Sequence, residues 1–204
     1  MSGATDRGPV PTDLVQLVLL VAGVLEAQGI PYAVGGAVAN NYWGAVRATQ
    51  DLDVLVAIPA VKIPPFMDRL REQGFLLCSG EQLLPLEDAK AVEHLQRDHL
   101  LVLERRGIRL EVFTPALPLQ DSVLARARPL PFAGGTIRVT SAEDLILLKT
   151  AFGREKDFRD IKGILWDQKD RLDMAYLRSW MNKMFAAAEK EKLEKCFAEY
   201  LRLG

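Results

Sequence analysis

A chain of 204 residues has room for one substantial core, or for one α/β domain with a helical appendage. With 49% hydrophobic and 26% charged residues it has the composition of an ordinary soluble globular protein. Its 26 basic and 27 acidic side chains leave a formal net charge of -1, which excludes bulk electrostatic attraction to nucleic acid and leaves a local basic cleft as the way to meet phosphate.

The chain opens with a polar stretch containing Gly and Pro, residues 1–11, which lacks the charged-then-apolar layout of a signal peptide and reads as a mobile tail. Leu14, Leu17, Val18, Val21, Val24 and Leu25 then recur at helical spacing, with Thr12 or Asp13 available to cap the first turn. This helix should lie on a sheet. It is short for a membrane span and stops at Glu26 and Gln28, which predicts a cytoplasmic protein with no membrane partner. Cys78 and Cys196 stand far apart at no metal-ligand spacing and read as cytosolic thiols.

Tyr32-Ala33-Val34 is predicted as a short strand running into Gly35-Gly36, with a helix over Ala37 to Trp43 opening directly after the glycines. Glycines before a helix N-terminus let backbone N–H groups approach a phosphate, and the same pair also makes an ordinary tight turn. The segment Arg47-Ala48-Thr49-Gln50-Asp51-Leu52-Asp53-Val54-Leu55-Val56 follows. Residues i and i+2 of a strand share a face, so Asp51 and Asp53 should stand side by side with Cα atoms about 7 Å apart. Two carboxylates at that separation repel by roughly 2 kcal/mol at an effective dielectric near 20, and a divalent cation between them reverses the sign. The apolar run Val54 to Ile58 comes after the acids, so they lie near the beginning of their strand.

Pro59, Pro64 and Pro65 end that strand and start a helix over 65–73, closed by Gly74. Phe75 to Leu77 is expected as a short strand and the residues through Lys90 as a polar loop. The clearest hairpin runs along His99 to Glu104, turns at Arg105-Arg106-Gly107 and returns along Ile108 to Phe113. Its alternation sets Ile108, Leu110 and Val112 on one face and Arg109, Glu111 and Phe113 on the other. Glu111 reads either as a solvent-facing strand residue or as a third acid. A short helix within 115–128, a turn at Gly134-Gly135 and a strand over Thr136 to Val139 complete an α/β domain, 12–140. From Ser141, which fits a capping-box start, residues 141–204 read as a helical region: Ala142 to Phe152, Glu155 to Trp166, Met174 to Ala186 and Glu189 to Leu203.

The order Gly-Gly, short helix, Arg47-x-Thr49-x-Asp51-Leu52-Asp53 and apolar strand resembles the nucleotidyltransferase fold of the polymerase-beta superfamily. It looks closest to the small bacterial nucleotidyltransferases related to abortive-infection toxins. Lys149 and Arg154-Glu155-Lys156-Asp157 resemble the lysine and the Arg-x-Lys-Asp segment that follow the catalytic domain there, so the likeness spans most of residues 12–168. The resemblance implies an α/β fold: a small mixed sheet of nucleotidyltransferase topology flanked by helices, then a C-terminal helical bundle forming the other wall of a cleft. It implies that Asp51, Asp53 and Glu111 hold Mg²⁺ and carry catalysis. The Gly35-Gly36 backbone would cradle a triphosphate, and Arg47, Thr49, Lys149 and Lys156 would bind the nucleotide. The implied reaction moves a nucleoside monophosphate from an NTP to an acceptor hydroxyl with release of pyrophosphate. An RNA end, a protein or a small molecule would serve as acceptor, and the toxin-like relatives imply a cognate antitoxin protein.

Two departures are visible: many relatives place Asp where this chain has Glu111, and many place Ser where it has Gly36. A catalytically lapsed protein that binds a partner, and a metal-dependent phosphohydrolase using the same acids, are the other readings. From the residues alone, the alternating charges between Lys149 and Asp160 also suit a solvated, salt-bridged helix face; with Lys149 and Lys156 facing the triphosphate, as the resemblance implies, Asp157 and Asp160 would orient those cations or cap the helix. Arg47 is equally suited to pairing with Asp51 or Glu111. Tyr42 and Trp43 read as core or cleft wall, Asn40 and Asn41 as cleft lining, and His94 and His99, without partners at ligand or triad spacing, as structural.

Overall fold

The computed structural model describes residues 12–203; the polar segment 1–11 lies outside the described residues. Helix α1 (Thr12–Ala27) buries Leu14, Leu17, Val18, Val21 and Leu25, the stripe that its periodicity predicts. Strand β1 (Tyr32–Val34) leads into α2 (Gly36–Trp43), whose first helical residue is Gly36 rather than Ala37, and then comes β2 (Asp51–Val56). On β2, Leu52, Val54 and Val56 are buried on the face covered by α1, which leaves Asp51, Asp53 and Leu55 on the other. Helix α3 (Ile63–Glu72) carries Pro64 and Pro65 in its first turn, where an N–H would have no helical partner, and buries Ile63, Phe66, Met67 and Leu70.

The stretch expected as a loop is structured. Strand β3 (Leu76–Ser79) pairs antiparallel with β4 (Gln82–Leu84), and α4 (Asp88–Glu93) follows. The predicted hairpin is β5 (Leu100–Arg105) and β6 (Ile108–Phe113), with Glu104 paired to Arg109 and Val102 to Glu111. After α5 (Pro118–Arg126) comes an unexpected strand, β7 (Arg128–Phe132), paired only with β8 (Gly135–Val139). Pro129 and Pro131 hid it from sequence reasoning, and its place at the edge of the sheet is where a strand tolerates missing N–H groups.

Among the described residues one mixed sheet runs β4-β3-β5-β6-β2-β1-β8-β7, with β2 parallel to β6 and β1 parallel to β8. The rest is helical, as expected: α6 (Ala142–Phe152), α7 (Glu155–Gln168), α8 (Met174–Met184) and α9 (Ala187–Leu203). Ser141 caps α6, its Oγ accepting from the Asp144 N–H at 3.2 Å. A largely buried polar network ties α5 to α6 and α8. Arg126 pairs with Glu143 at 3.1 Å and Asp144 at 3.3 Å, its guanidinium lies 4.0 Å from the Tyr176 ring centroid, and the Tyr176 hydroxyl meets Asp144 and Ser122. His94 pairs with Asp98 and His99 with Thr114, both outside the cleft described below. No helix among the described residues is long and apolar enough to cross a membrane.

Candidate active site

Parallel pairing of β2 with β6 sets Asp51 opposite Arg109 and Asp53 opposite Glu111. Because side chains alternate along both strands, Asp51, Asp53 and Glu111 share the face away from α1. That face is the floor of a cleft of about 460 Å³. The nine residues to which the resemblance gives a catalytic, metal or nucleotide role all line it: Asp51, Asp53 and Glu111 on the floor, Gly35, Gly36, Arg47 and Thr49 at one side, Lys149 and Lys156 on the helical wall.

The glycine turn is fitted to the second acid. The Gly35 N–H donates to the Asp53 carbonyl at 2.9 Å, fastening the start of α2 to β2. Gly36 has φ +55°, and a Cβ there would lie 1.7 Å from Asp53 Oδ2. Any side chain at 36, the Ser of many relatives included, would take the space that this carboxylate occupies. Among the described residues no side chain caps α2, which leaves N–H groups of its first turn available at the cleft edge.

No hydrogen bond or ion pair reaches the carboxylates of Asp51, Asp53 or Glu111 among the described residues. Burial, then Asp51, pushes the Asp53 carboxyl above its usual range, against a weaker pull from Lys149, Arg154 and Arg47. Burial, then Asp53 and Asp51, pushes Glu111 up in the same way. This unneutralised negative charge, made of hard oxygen donors on one face, fits Mg²⁺. Among the described residues no three His, Cys, Asp or Glu side chains stand close enough together to hold a metal ion by themselves. Mg²⁺ does not need one, since it keeps several waters and is commonly held by one or two carboxylates together with substrate phosphates.

The cations are organised rather than loose. Lys149 is buried, and its Nζ meets Asp160 at 2.5 Å; the same carboxylate takes Arg47 at 3.4 Å. Asp160 thus joins α6, α7 and the loop before Asp51, and Arg47 pairs with it rather than with Asp51 or Glu111. Arg154 is fixed by Asp157, Nε at 2.7 Å and Nη2 at 3.2 Å. Lys156 is exposed at the rim, with no ion pair among the described residues. Thr49 bonds within its own loop, Oγ1 accepting from the Asp51 N–H at 3.1 Å.

Asn40 and Asn41 do not line the cleft. Asn41 brackets the Arg47 backbone with two bonds of 3.0 and 3.1 Å, and Asn40 Nδ2 donates to the Ala45 carbonyl, so both shape the loop that delivers Arg47. Trp43 donates its indole N–H to the Thr140 carbonyl and is part of the packing. The sequence reading left Arg109, Gln120, Phe152 and Arg154 out of the site, yet all four line the cleft. Arg109 was within reach, since it shares the hairpin face of Glu111; Gln120 and Phe152 carry no local signal.

A mixed sheet with a glycine turn opening a helix, two acids at the start of the next strand and a third acid across a parallel pairing defines the nucleotidyltransferase fold. Solved structures agree. The solution structure of the antibiotic-resistance factor ANT(2'')-Ia is similar at TM-score 0.57 and 16% identity, covering 90% of this chain and 98% of that one. An antigenic nucleotidyltransferase-like protein from Paracoccidioides brasiliensis is similar at TM-score 0.53 and 22% identity, over 86% of this chain and 90% of that one. The lincomycin-bound lincosamide antibiotic adenylyltransferase LnuA is similar at TM-score 0.52 and 14% identity, over 76% and 96%. No family model and no curated protein sequence matches the chain.

Proposed function

We propose that this protein is an Mg²⁺-dependent nucleotidyltransferase that moves a nucleoside monophosphate from an NTP to an acceptor hydroxyl and releases pyrophosphate. The observation that carries the reading is the in-register opposition of Asp53 and Glu111 across β2 and β6, with Asp51 beside them and no cation among the described residues bonded to any of the three. Such a face is unfavourable until a cation arrives.

Asp51 and Asp53 would hold the ion or ions and Glu111 would complete the set; when bound, Mg²⁺ would neutralise phosphate charge and favour the attacking and leaving oxygens. The first free N–H groups of α2, those of Gly36 and Ala37, would receive the triphosphate, since the Gly35 N–H is taken by the Asp53 carbonyl. Lys156 and Arg154 face it from the other wall. Lys149 and Asp160 hold that wall against the Arg47 loop. The acceptor oxygen attacks the α-phosphorus, its proton passes to Glu111, and the bond to the bridging oxygen breaks so that pyrophosphate leaves with the electron pair. Glu111 faces Asp53 directly, so the longer acid keeps the place that many relatives give to Asp.

The acceptor class is not fixed by the floor of the cleft. An RNA end, a protein hydroxyl and a small molecule all suit this core, and the similar structures include proteins described as antibiotic-resistance and lincosamide-modifying. The toxin-like role, its antitoxin partner and a cytoplasmic location rest on the sequence reading alone. The reaction is tested by incubating the protein with each α-labelled NTP and Mg²⁺ and following pyrophosphate release and label transfer to RNA, protein and small-molecule fractions. Release of inorganic phosphate in place of pyrophosphate would identify a phosphohydrolase instead.

A further inference from the structure

Within the cleft, one large aromatic side chain is left without a packing role. Phe152 ends α6 and is 59% exposed, although it lines the same cavity as the carboxylates. The Arg154 guanidinium lies 5.0 Å from its ring centroid, and Asp157 in turn fixes Arg154 from two sides. Gly153 between them has φ +68°, a left-handed turn that closes the helix and brings the two side chains together. The result is a ring steadied by a cation and still open to the cleft. Such a surface offers an aromatic base what a triphosphate cannot use, since every base has a π-face and stacking on an aromatic side chain is tolerant of base identity.

The other aromatic residue in the cleft, Phe113, is placed differently. It lies on β6 two residues beyond Glu111, paired with Leu55 and Leu100, and forms an apolar end of the floor on the Glu111 side. Phe152 stands on the wall that bears Lys149, Arg154 and Lys156, across from the carboxylates. We infer that Phe152, backed by Arg154, is the stacking platform for the base of the bound nucleotide. This assignment rests on the nucleotidyltransferase reading and adds to it the residue that distinguishes a nucleotide from a bare triphosphate.

The test compares two probes, ATP and inorganic tripolyphosphate, each titrated with Mg²⁺ into the wild-type protein, Phe152→Ala, Phe152→Trp and Phe113→Ala. The wild type should bind ATP more tightly than tripolyphosphate. Phe152→Ala should weaken ATP by roughly 5- to 150-fold while leaving tripolyphosphate unchanged, and Phe152→Trp should retain the preference. Phe113→Ala should keep the ratio of the two affinities. An unchanged ratio in Phe152→Ala, an equal loss of both probes, or loss of the ratio in Phe113→Ala alone would overturn the platform while leaving the metal and phosphate site standing. Failure of the wild type to bind either probe with Mg²⁺ would overturn the platform together with the reading beneath it.

Discussion

Gly36 and Asp53 are fitted to each other: the Cβ that Gly36 lacks would fall 1.7 Å from Asp53 Oδ2, and the φ of +55° at Gly36 is one that side chains disfavour. The site is therefore built around the missing side chain at position 36. Gly36→Ala should cost about 1–2 kcal/mol of stability through the left-handed backbone alone. It should also turn the Asp53 carboxylate away and weaken Mg²⁺-dependent NTP binding at least about tenfold, a loss of 1.4 kcal/mol or more. Denaturant titration and calorimetry on the same variant measure the two effects separately.

The pair Lys149 and Asp160 is nearly buried, with side chains 6% and 12% exposed. Asp160→Asn removes the charge that compensates the more buried partner and should destabilise the protein by about 3 kcal/mol. Lys149→Met leaves Asp160 with Arg47 and should cost less, about 1 kcal/mol. The order of the two urea midpoints checks the claim.

Acidity should act on the ligand-free site in a definite direction. Asp53 and Glu111 are both pushed above their ordinary values of 3.8 and 4.5 by burial and by neighbouring carboxylates. A raised carboxyl pKa means that the folded state holds the proton more tightly than the unfolded state. These two groups therefore favour folding below the ordinary values, and that contribution is lost as pH rises through the shifted ones. Mg²⁺ competes with the same protons, so metal and NTP affinity should fall as the buffer is made mildly acidic, and binding should release protons. Calorimetry in two buffers of different ionisation enthalpy counts them.

The Tyr176 hydroxyl serves the network that joins α5 to α6 and α8, bonding Asp144 and Ser122. Tyr176→Phe should cost about 1–3 kcal/mol because it leaves part of a buried carboxylate unpaired. The NTP affinity should stay unchanged, because neither Tyr176 nor Asp144 lines the cleft.

Much of the site was legible because its signals are local. The period-two spacing of Asp51 and Asp53, and the alternation that puts Glu111 opposite Ile108, Leu110 and Val112, both survive as faces of the sheet. The pairing that brings Glu111 against Asp53 is non-local: the resemblance implied only a third acid on a neighbouring strand, and the parallel register is seen in the fold. Strand β7 was missed because its two prolines argue against a strand everywhere except at an edge, and edge position is a property of the whole sheet. The alternating charges between Lys149 and Asp160 suited a solvated face and a set of cation-orienting acids equally; Asp157 and Asp160 each fix a cation beside the cleft, and Asp157 takes Arg154 rather than a lysine. Nothing in the sequence distinguishes Asn41 as a loop anchor rather than cleft lining, since its bonds to the Arg47 backbone depend on how the following loop folds back.

The most direct measurement is calorimetric titration of each of the four NTPs, with and without Mg²⁺, into the wild type and Asp51→Ala/Asp53→Ala. The account predicts saturable binding that requires Mg²⁺ and vanishes in the double variant. The variant's thermal midpoint should be equal or higher, since the mutual repulsion of two carboxylates at the cleft floor has been removed. Binding that ignores Mg²⁺ or persists in the variant would contradict the metal-site assignment, and no binding of any NTP to the wild type would make this a nucleotidyltransferase fold that no longer holds a nucleotide.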